Sequence, residues 1–384
     1  MIKSAARGLR AKASRYGASL PLRRKERGQS RIPSRIPNLR DGIRVGSPRH
    51  KRPLWLIAGL VAWSSLAVAA PRNPDSPVKG SVVKAAFTAR PTPARLARGR
   101  YLVETVGGCF DCHTVHQYVN GQWVAKKDMK GAGQVFPPGF LPVPPGSEVV
   151  APNITPDRAT GVGSWTDREL EEAIRHGVAK GGRPLFNLMP YGEYRVLTDE
   201  DVKSIIVYLR TLPPVRNELP ITKMPFPVRV DMDDAWVPPL PKGASSVVRR
   251  GWALARVAGC VDCHTVILAN GSRPPSLRFA GGLHFHGPFG DVYSLNITFD
   301  PSGIGFMNEA MFARTLRTGR VNGNGLKLKP PMPFDSFRNL KAADIRAIYA
   351  YLRTVPHVRH EIDNTDPPTY CKLDGEKHGL GNRN

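Results

Sequence analysis

Two stretches of this 384-residue chain set cysteine and histidine at one spacing: Cys109-Phe-Asp-Cys112-His113 and Cys260-Val-Asp-Cys263-His264, each followed by Thr-Val. Three chemistries use a Cys-x-x-Cys pair. A thioredoxin-like redox couple requires a βαβ context, and none surrounds either copy. A zinc site usually gathers its halves within a few tens of residues, whereas these lie about 150 apart. Covalent attachment of haem is the third, and it uses every residue of the unit. Two thiols three residues apart lie on one side of a helical turn, where both can add to the vinyl groups of one porphyrin edge. The histidine that follows then reaches the iron as proximal ligand. Four of the five cysteines are used in this way, leaving Cys371, so the cysteine pattern is not that of a disulfide scaffold. The expectation is two covalently bound haem c groups, on Cys109/Cys112 and Cys260/Cys263, with His113 and His264 on the irons.

Each iron then has a sixth position. In low-spin electron carriers a methionine from a downstream loop commonly fills it. The chain offers Met189 in FNLMPYGEYRVL and Met332 in KPPMPFDSFRNL, 76 and 68 residues after His113 and His264, each before a proline and an aromatic. Either methionine alone reads equally as a gap-filler in a core; the recurrence favours ligation. His116, His176, His284 and His286 compete for the role, but none repeats between the copies. Met224 reads as structural, and no spacing argument places Cys371 as a thiol, a disulfide partner or a ligand.

The recurrence extends beyond the motifs. GRYLVETVGGCFDCHT matches GWALARVAGCVDCHT, APNITPDRATGVGSW matches SLNITFDPSGIGFM, and the two Met-Pro segments match through YLRTLP and YLRTVP. The offset is 151 residues at the cysteine motifs and reads as a constant 143 from Asn153 to Pro213. The 8-residue difference is assigned to the Pro-rich VFPPGFLPVPPGSE, absent from the second copy. Asn153 and Asn296, in the repeated Asn-Ile-Thr, are expected to shape a turn near the haem edge. Trp165 is a candidate partner for a haem propionate or a core residue, and Met307 takes its place in the second copy.

These residues must be carried by helices. Arg95–Val106 and Val247–Val257 are expected to present the two motifs. Thr166-Asp-Arg-Glu169 is a capping box opening a helix through about His176. Thr198 opens another, with Val202, Ile205, Ile206 and Leu209 on one face, and Ile345, Ile348, Tyr349 and Leu352 mark its twin. Pro213 and Pro356 end both. No sustained strand alternation occurs. The fold expected is mostly α, a tandem duplication of two small haem-wrapped domains at 90–215 and 245–360, with a Pro-rich linker at 216–244 and an irregular tail at 361–384.

Charge is uneven. Residues 1–52 hold 16 Lys/Arg against Glu26 and Asp41, within a chain of formal net charge +25. This segment has no apolar periodicity and cannot bury a core; it is read as a disordered arm or as sequence ahead of a later start near Val45. The apolar stretch 54–70, preceded by Arg49, Lys51 and Arg52 and ending Ala67-Val68-Ala69, reads as an export signal, with a retained membrane anchor as the alternative. Everything beyond it is then periplasmic. Aromatic-basic patches that would bind nucleic acid are lacking, and the basic surface suits an acidic redox partner or anionic lipid.

On the paired motifs, NITPD…TGVGSWTD (Asn153–Asp167), LMPY (Leu188–Tyr191) and LTDEDVKSIIVYLRTL (Leu197–Leu212), the chain resembles the class I c-type cytochromes. More narrowly, it resembles the cytochrome subunits of periplasmic alcohol, sugar-acid and aldehyde dehydrogenases. The resemblance covers roughly 90–215, with a weaker copy at 245–357, and implies His113/Met189 and His264/Met332 as axial pairs. The alcohol dehydrogenase subunits carry three such motifs, and this chain carries two. What is implied is a dihaem relay without bond chemistry of its own, carrying electrons from a dehydrogenase or another donor to a respiratory acceptor. The alternative is a haem enzyme with one open iron, such as a dihaem peroxidase or a thiosulfate-oxidising cytochrome.

Overall fold

Thr92, whose hydroxyl accepts from Arg95 N at 3.2 Å, and Pro93 at the first turn open helix α1 (Pro93–Tyr101). The computed structural model describes residues 87–379 apart from 120–121, 142, 231–237, 269–270, 288 and 366. They belong to the compact unit Gly80–Asn384. The basic segment and the apolar stretch read as an export signal lie outside the described residues.

Two runs of helices follow in the same order. After α1 come a one-turn α2 (Cys109–Cys112), α3 (Asp167–His176), one-turn α4 (Tyr191–Tyr194) and α5 (Asp199–Leu209). The second run is α6 (Ser246–Val257), α7 (Cys260–Cys263), α8 (Glu309–Thr318), α9 (Phe334–Phe337) and α10 (Ala342–Leu352). The capping box of Thr166 and Glu169 is formed at α3, and Gly177 in the left-handed region ends that helix. Val202, Ile205, Ile206 and Leu209 are buried along α5. On α10, Ile345, Ile348 and Leu352 are buried; Tyr349 is half-buried, and Tyr351 fills the core beside them.

Within each run the first and last long helices pack together at a glycine. A Cβ on Gly99 would lie 1.9 Å from Ser204 O of α5, and one on Gly251 would lie 1.8 Å from Ala347 O of α10. No side chain fits at either crossing, so the backbones touch. A single hydrophobic cluster then runs through both halves, from Leu102, Val103 and Ile206 to Leu254, Ile348 and Leu352.

Among the described residues, strands are confined to two-stranded antiparallel ribbons: β1 (His116–Val119) with β2 (Gln122–Ala125), β3 (Gln134–Val135) with β4 (Val150–Ala151), β5 (His284–Gly287) with β6 (Gly290–Tyr293), and β7 (Thr369–Tyr370) with β8 (Lys377–His378). The tail is therefore not irregular throughout: β7–β8 folds it back, with Cys371 and His378 buried. Nor is the start of the Pro-rich connection a free linker. Asn217 donates to Ala132 O at 2.9 Å, and Glu148 and Lys223 exchange backbone bonds of 2.8 Å.

The structure also corrects the spacing of the repeat. Asp157 closes its loop on Thr160, whereas Asp300 closes one residue sooner on Ser302. The N-caps Thr166 and Asn308 consequently stand 142 apart, and the 143 register returns at Met189 and Met332 after a longer turn beyond α8. The 8-residue difference is likewise divided. Gly131 N binds Thr114 Oγ1 and Phe279 N binds Thr265 Oγ1, so part of the length is gained before Gly131, in the segment that carries β1–β2. Ahead of the motifs, a π-helical turn at Leu102–Val106 absorbs one further residue that α6 lacks, with Gly107 N reaching Leu102 O at 2.8 Å.

Glu104 on that turn accepts from Lys130 and Tyr208, both at 2.5 Å, and from Arg100 at 3.1 Å. Burial works to raise its pKa, but these donors prevail and lower it to about 2 from 4.5. Its contribution to stability is present above 4.5 and is lost as pH falls through about 2. The stability difference between wild type and Glu104→Gln, followed by thermal unfolding, should shrink over that window. Gly251→Ala should cost about 1–3 kcal/mol or more through overpacking against α10; calorimetry of the haem-loaded chain measures it.

Candidate haem sites

Each cysteine turn begins at a glycine in the left-handed region, Gly108 (φ 52°) and Gly259 (φ 67°). This conformation, which strains most side chains, lets the chain leave the long helix and start a new turn at once. The turn is closed by His113 N on Cys109 O at 2.9 Å and by His264 N on Cys260 O at 3.0 Å. None of the four motif cysteines is paired in a disulfide; the first of each motif is half-buried and the second exposed. Burial, then the Asp111 carboxylate, pushes the Cys109 thiol up to about 12; burial, then Cys263 and Asp262, does the same to Cys260.

The histidines are buried, 7% and 9% exposed. His113 Nδ1 lies 2.7 Å from Pro152 O, and His264 Nδ1 lies 2.6 Å from Leu295 O. A carbonyl only accepts, so Nδ1 carries the proton and Nε2 keeps its lone pair, as a metal-ligating imidazole requires. Burial lowers both pKa values, with the carbonyl bond opposing it, which favours the neutral rings.

The carbonyl is placed by the asparagine that follows it. Asn153 Oδ1 accepts from Thr155 N at 2.9 Å and Thr155 Oγ1 at 2.8 Å, while its amide donates to Val215 O at 2.7 Å. Asn296 repeats the set on Thr298 and Val358 O, at 2.9, 2.8 and 2.8 Å. Both amides are buried and hydrogen-bonded, so neither is presented as a glycosylation acceptor.

Met189 and Met332 are partly buried against the shared cluster. Tyr191 N closes on Met189 O at 2.7 Å and Phe334 N on Met332 O at 2.9 Å, and α4 or α9 starts directly after. Gly177 and Gly319, which end α3 and α8, lie against the rings of Tyr191 and Phe334 and so seat each loop on the preceding helix. Trp165 packs half-buried on the cluster, its carbonyl accepting from Arg210 at 2.8 Å; Met307 is buried in the second copy. The competing histidines are engaged elsewhere: His284 and His286 share exposed Asp291, His116 Nδ1 lies 2.8 Å from Thr114 O, and His176 lies 3.5 Å from Glu171.

Not foreseen in the sequence is a reciprocal contact between the halves. α4 packs on α6, and α9 packs on the π-helical turn after α1. At one contact Arg256 Nε donates to Glu193 at 2.7 Å, the side chains 9% and 1% exposed; at the other Ser336 donates to Asp111 at 3.0 Å. Tyr101 adds a bond of 2.6 Å to buried Asp344. The available signal was Arg256 itself, a charge between Ala255 and Val257 on the face that the helix buries.

A histidine with a fixed Nε2 lone pair, following two thiols on one helical turn, is the donor set of a c-type cytochrome, and the folded residues fit covalent haem in both places. Comparison with known proteins agrees. The chain is 32% identical to the fructose dehydrogenase cytochrome subunit of Gluconobacter japonicus over 72% of its length and 57% of that protein's. It is 35% identical to the gluconate 2-dehydrogenase cytochrome c subunit of Pantoea cypripedii, over 35% of its length and 27% of that protein's. A diheme cytochrome c-type protein of Cereibacter sphaeroides is 30% identical, with 66% of this chain and 83% of that protein covered. No protein-family model matches. The chain belongs to the c-type cytochromes that include this diheme protein and the dehydrogenase cytochrome subunits. It spans little more than half of the fructose dehydrogenase subunit and about a quarter of the gluconate one.

Arg256→Met leaves Glu193 buried without its guanidinium, which should cost about 3–5 kcal/mol. Glu193→Gln in the same background should recover part of the loss, measured by denaturant unfolding.

Proposed function

We propose that this chain is an exported dihaem electron relay that receives electrons from a dehydrogenase and passes them to a respiratory acceptor in the periplasm. The observation that carries the reading is the pair of buried histidines, each with Nδ1 tied to a carbonyl, in halves that meet through reciprocal contacts beside both cysteine turns. Cys109 and Cys112 would hold one haem and Cys260 and Cys263 the other, with His113/Met189 and His264/Met332 on the irons. When bound, haem supplies a one-electron store at each site.

The chain's own residues do the rest. Asn153 and Asn296 hold the carbonyls that orient the imidazoles, and the shared cluster keeps water away and limits movement when charge changes. Each haem with its helices is read as one domain of a tandem duplication, at about 90–215 and 245–360, after an export signal at 54–70. Among the described residues no helix is long and apolar enough to cross a membrane. The relatives' names support the donor class, since they are cytochrome subunits of fructose and gluconate dehydrogenases. Beyond the export signal, the excess of 40 Lys/Arg over 29 Asp/Glu supports docking on an acidic partner surface.

Redox titration of the purified full chain, followed by absorption, tests this. Two low-spin one-electron centres are expected, each with the weak far-red band of methionine-bound ferric iron. Met332→Ala should turn one of them high-spin and lower its potential, leaving the other unchanged. Ready binding of carbon monoxide or cyanide by the wild type would replace the relay by a haem enzyme with an open iron.

A further inference from the structure

Near the C-terminus, away from both cysteine motifs in sequence, His360, Cys371, Asp374 and His378 are brought together. All four are buried, 2%, 6%, 8% and 0% exposed, and each offers one donor atom within 4.8 Å of the others. The turn between β7 and β8 supplies Cys371 and Asp374, and β8 itself supplies His378, in the order Cys-x-x-Asp-x-x-x-His. The fourth comes from the segment that follows α10.

The protonation of His360 can be read from the first half. There Asn217 N donates to Thr160 Oγ1 at 3.0 Å and its side-chain amide donates to Ala132 O at 2.9 Å. His360 stands in the same place, with its N on Ser302 Oγ and its Nδ1 on Ala280 O, both at 3.0 Å. Nδ1–H is thus the donor, and the Nε2 lone pair faces Asp374 Oδ2 at 3.2 Å and His378 Nε2 at 2.8 Å. His378 Nε2 lies 3.5 Å from the same carboxylate oxygen. A lone pair facing a carboxylate in a buried space calls for a positive charge between them.

The surroundings suit a metal. Asp374 Oδ1 accepts from Glu376 N at 3.0 Å, orienting Oδ2 toward the imidazoles. Cys371 Sγ accepts from Leu373 N at 3.4 Å, a bond that supports a thiolate. Gly282 (φ 93°) leaves the room: a Cβ there would stand 2.7 Å from Asp374 Oδ2 and 2.9 Å from His360 Cε1. Ligands at about 2.0–2.3 Å around a tetrahedral ion are themselves about 3.3–3.8 Å apart, so the 2.8, 3.2 and 3.5 Å spacings among the two imidazoles and the carboxylate need only a small adjustment.

We propose that His360, Cys371, Asp374 and His378 form a four-coordinate structural Zn²⁺ site that fastens the C-terminal segment to the second half. One thiolate, two imidazoles and a carboxylate match zinc in donor type and number, and no open position is left for catalysis. The two-residue strands β7 and β8 bury little apolar surface of their own, so a metal staple explains why the segment is held.

The test is elemental analysis of the full-length, haem-loaded protein, with zinc-edge X-ray absorption. One zinc per chain is expected, with one sulfur at about 2.3 Å and nitrogen or oxygen at about 2.0–2.1 Å. Cys371→Ser and His378→Gln should each lower zinc content at least about tenfold while the haem spectrum stays unchanged. Should the variants fail to fold, wild type stripped with dipicolinate and given ZnCl₂ alone decides. Stripping should open the segment to trypsin at Lys372 and Lys377, and zinc should close it again. A wild type that takes up no zinc under these conditions, that holds copper instead, or that keeps its zinc in Cys371→Ser overturns the proposal.

Discussion

The hydrogen bond from a buried imidazole Nδ1 to a backbone carbonyl is the constraint on which the rest of this molecule depends. At 2.7 Å in the first half and 2.6 Å in the second, it fixes tautomer and ring orientation together. It can do so only if the carbonyl is itself immobile. The Asn-x-Thr turn provides that, by filling the asparagine oxygen locally and anchoring its amide to the chain beyond the last long helix, at Val215 and Val358. The last helix is in turn locked to the first by a glycine crossing. The imidazole's geometry is therefore set by a closed circuit of helix, motif, turn and helix.

Much of that circuit was legible in the sequence because its signals are local. The cysteine-histidine unit, the capping box at Thr166, the burial face of α5 and the repeated Asn-Ile-Thr each occupy a few consecutive residues. What was not legible depends on contacts between distant segments. Gly99 and Gly251 carry no mark of the carbonyl that each meets. The one-residue shift between Asp157 and Thr160 is invisible until the two loops are seen to close differently. Cys371 stood alone in the sequence because what gathers His360, Asp374 and His378 around it is the folding back of β7 on β8, which no motif announces.

The halves are not beads on a string. One hydrophobic cluster passes through both, and the Arg256–Glu193 pair is sealed inside the contact. A buried pair of this kind adds little net stability, but losing either member is costly, so it penalises misplacement of one half on the other. The Pro-rich connection adds to this at its start, because Asn217 and Thr222 are hydrogen-bonded into the first half.

In the proposed relay, the reciprocal contact has a bearing on direction. An arrangement in which each half offers the other the same surface treats both ends alike, and a current through two identical stations has no preferred sense. Here the equivalence is broken in its chemistry: one junction holds a guanidinium against a carboxylate, and its counterpart holds a hydroxyl against a carboxylate. Asymmetry is thus written at the seam itself: in the proposed relay, the buried guanidinium lies in one junction and not in its counterpart, so the two centres would meet unequal fields.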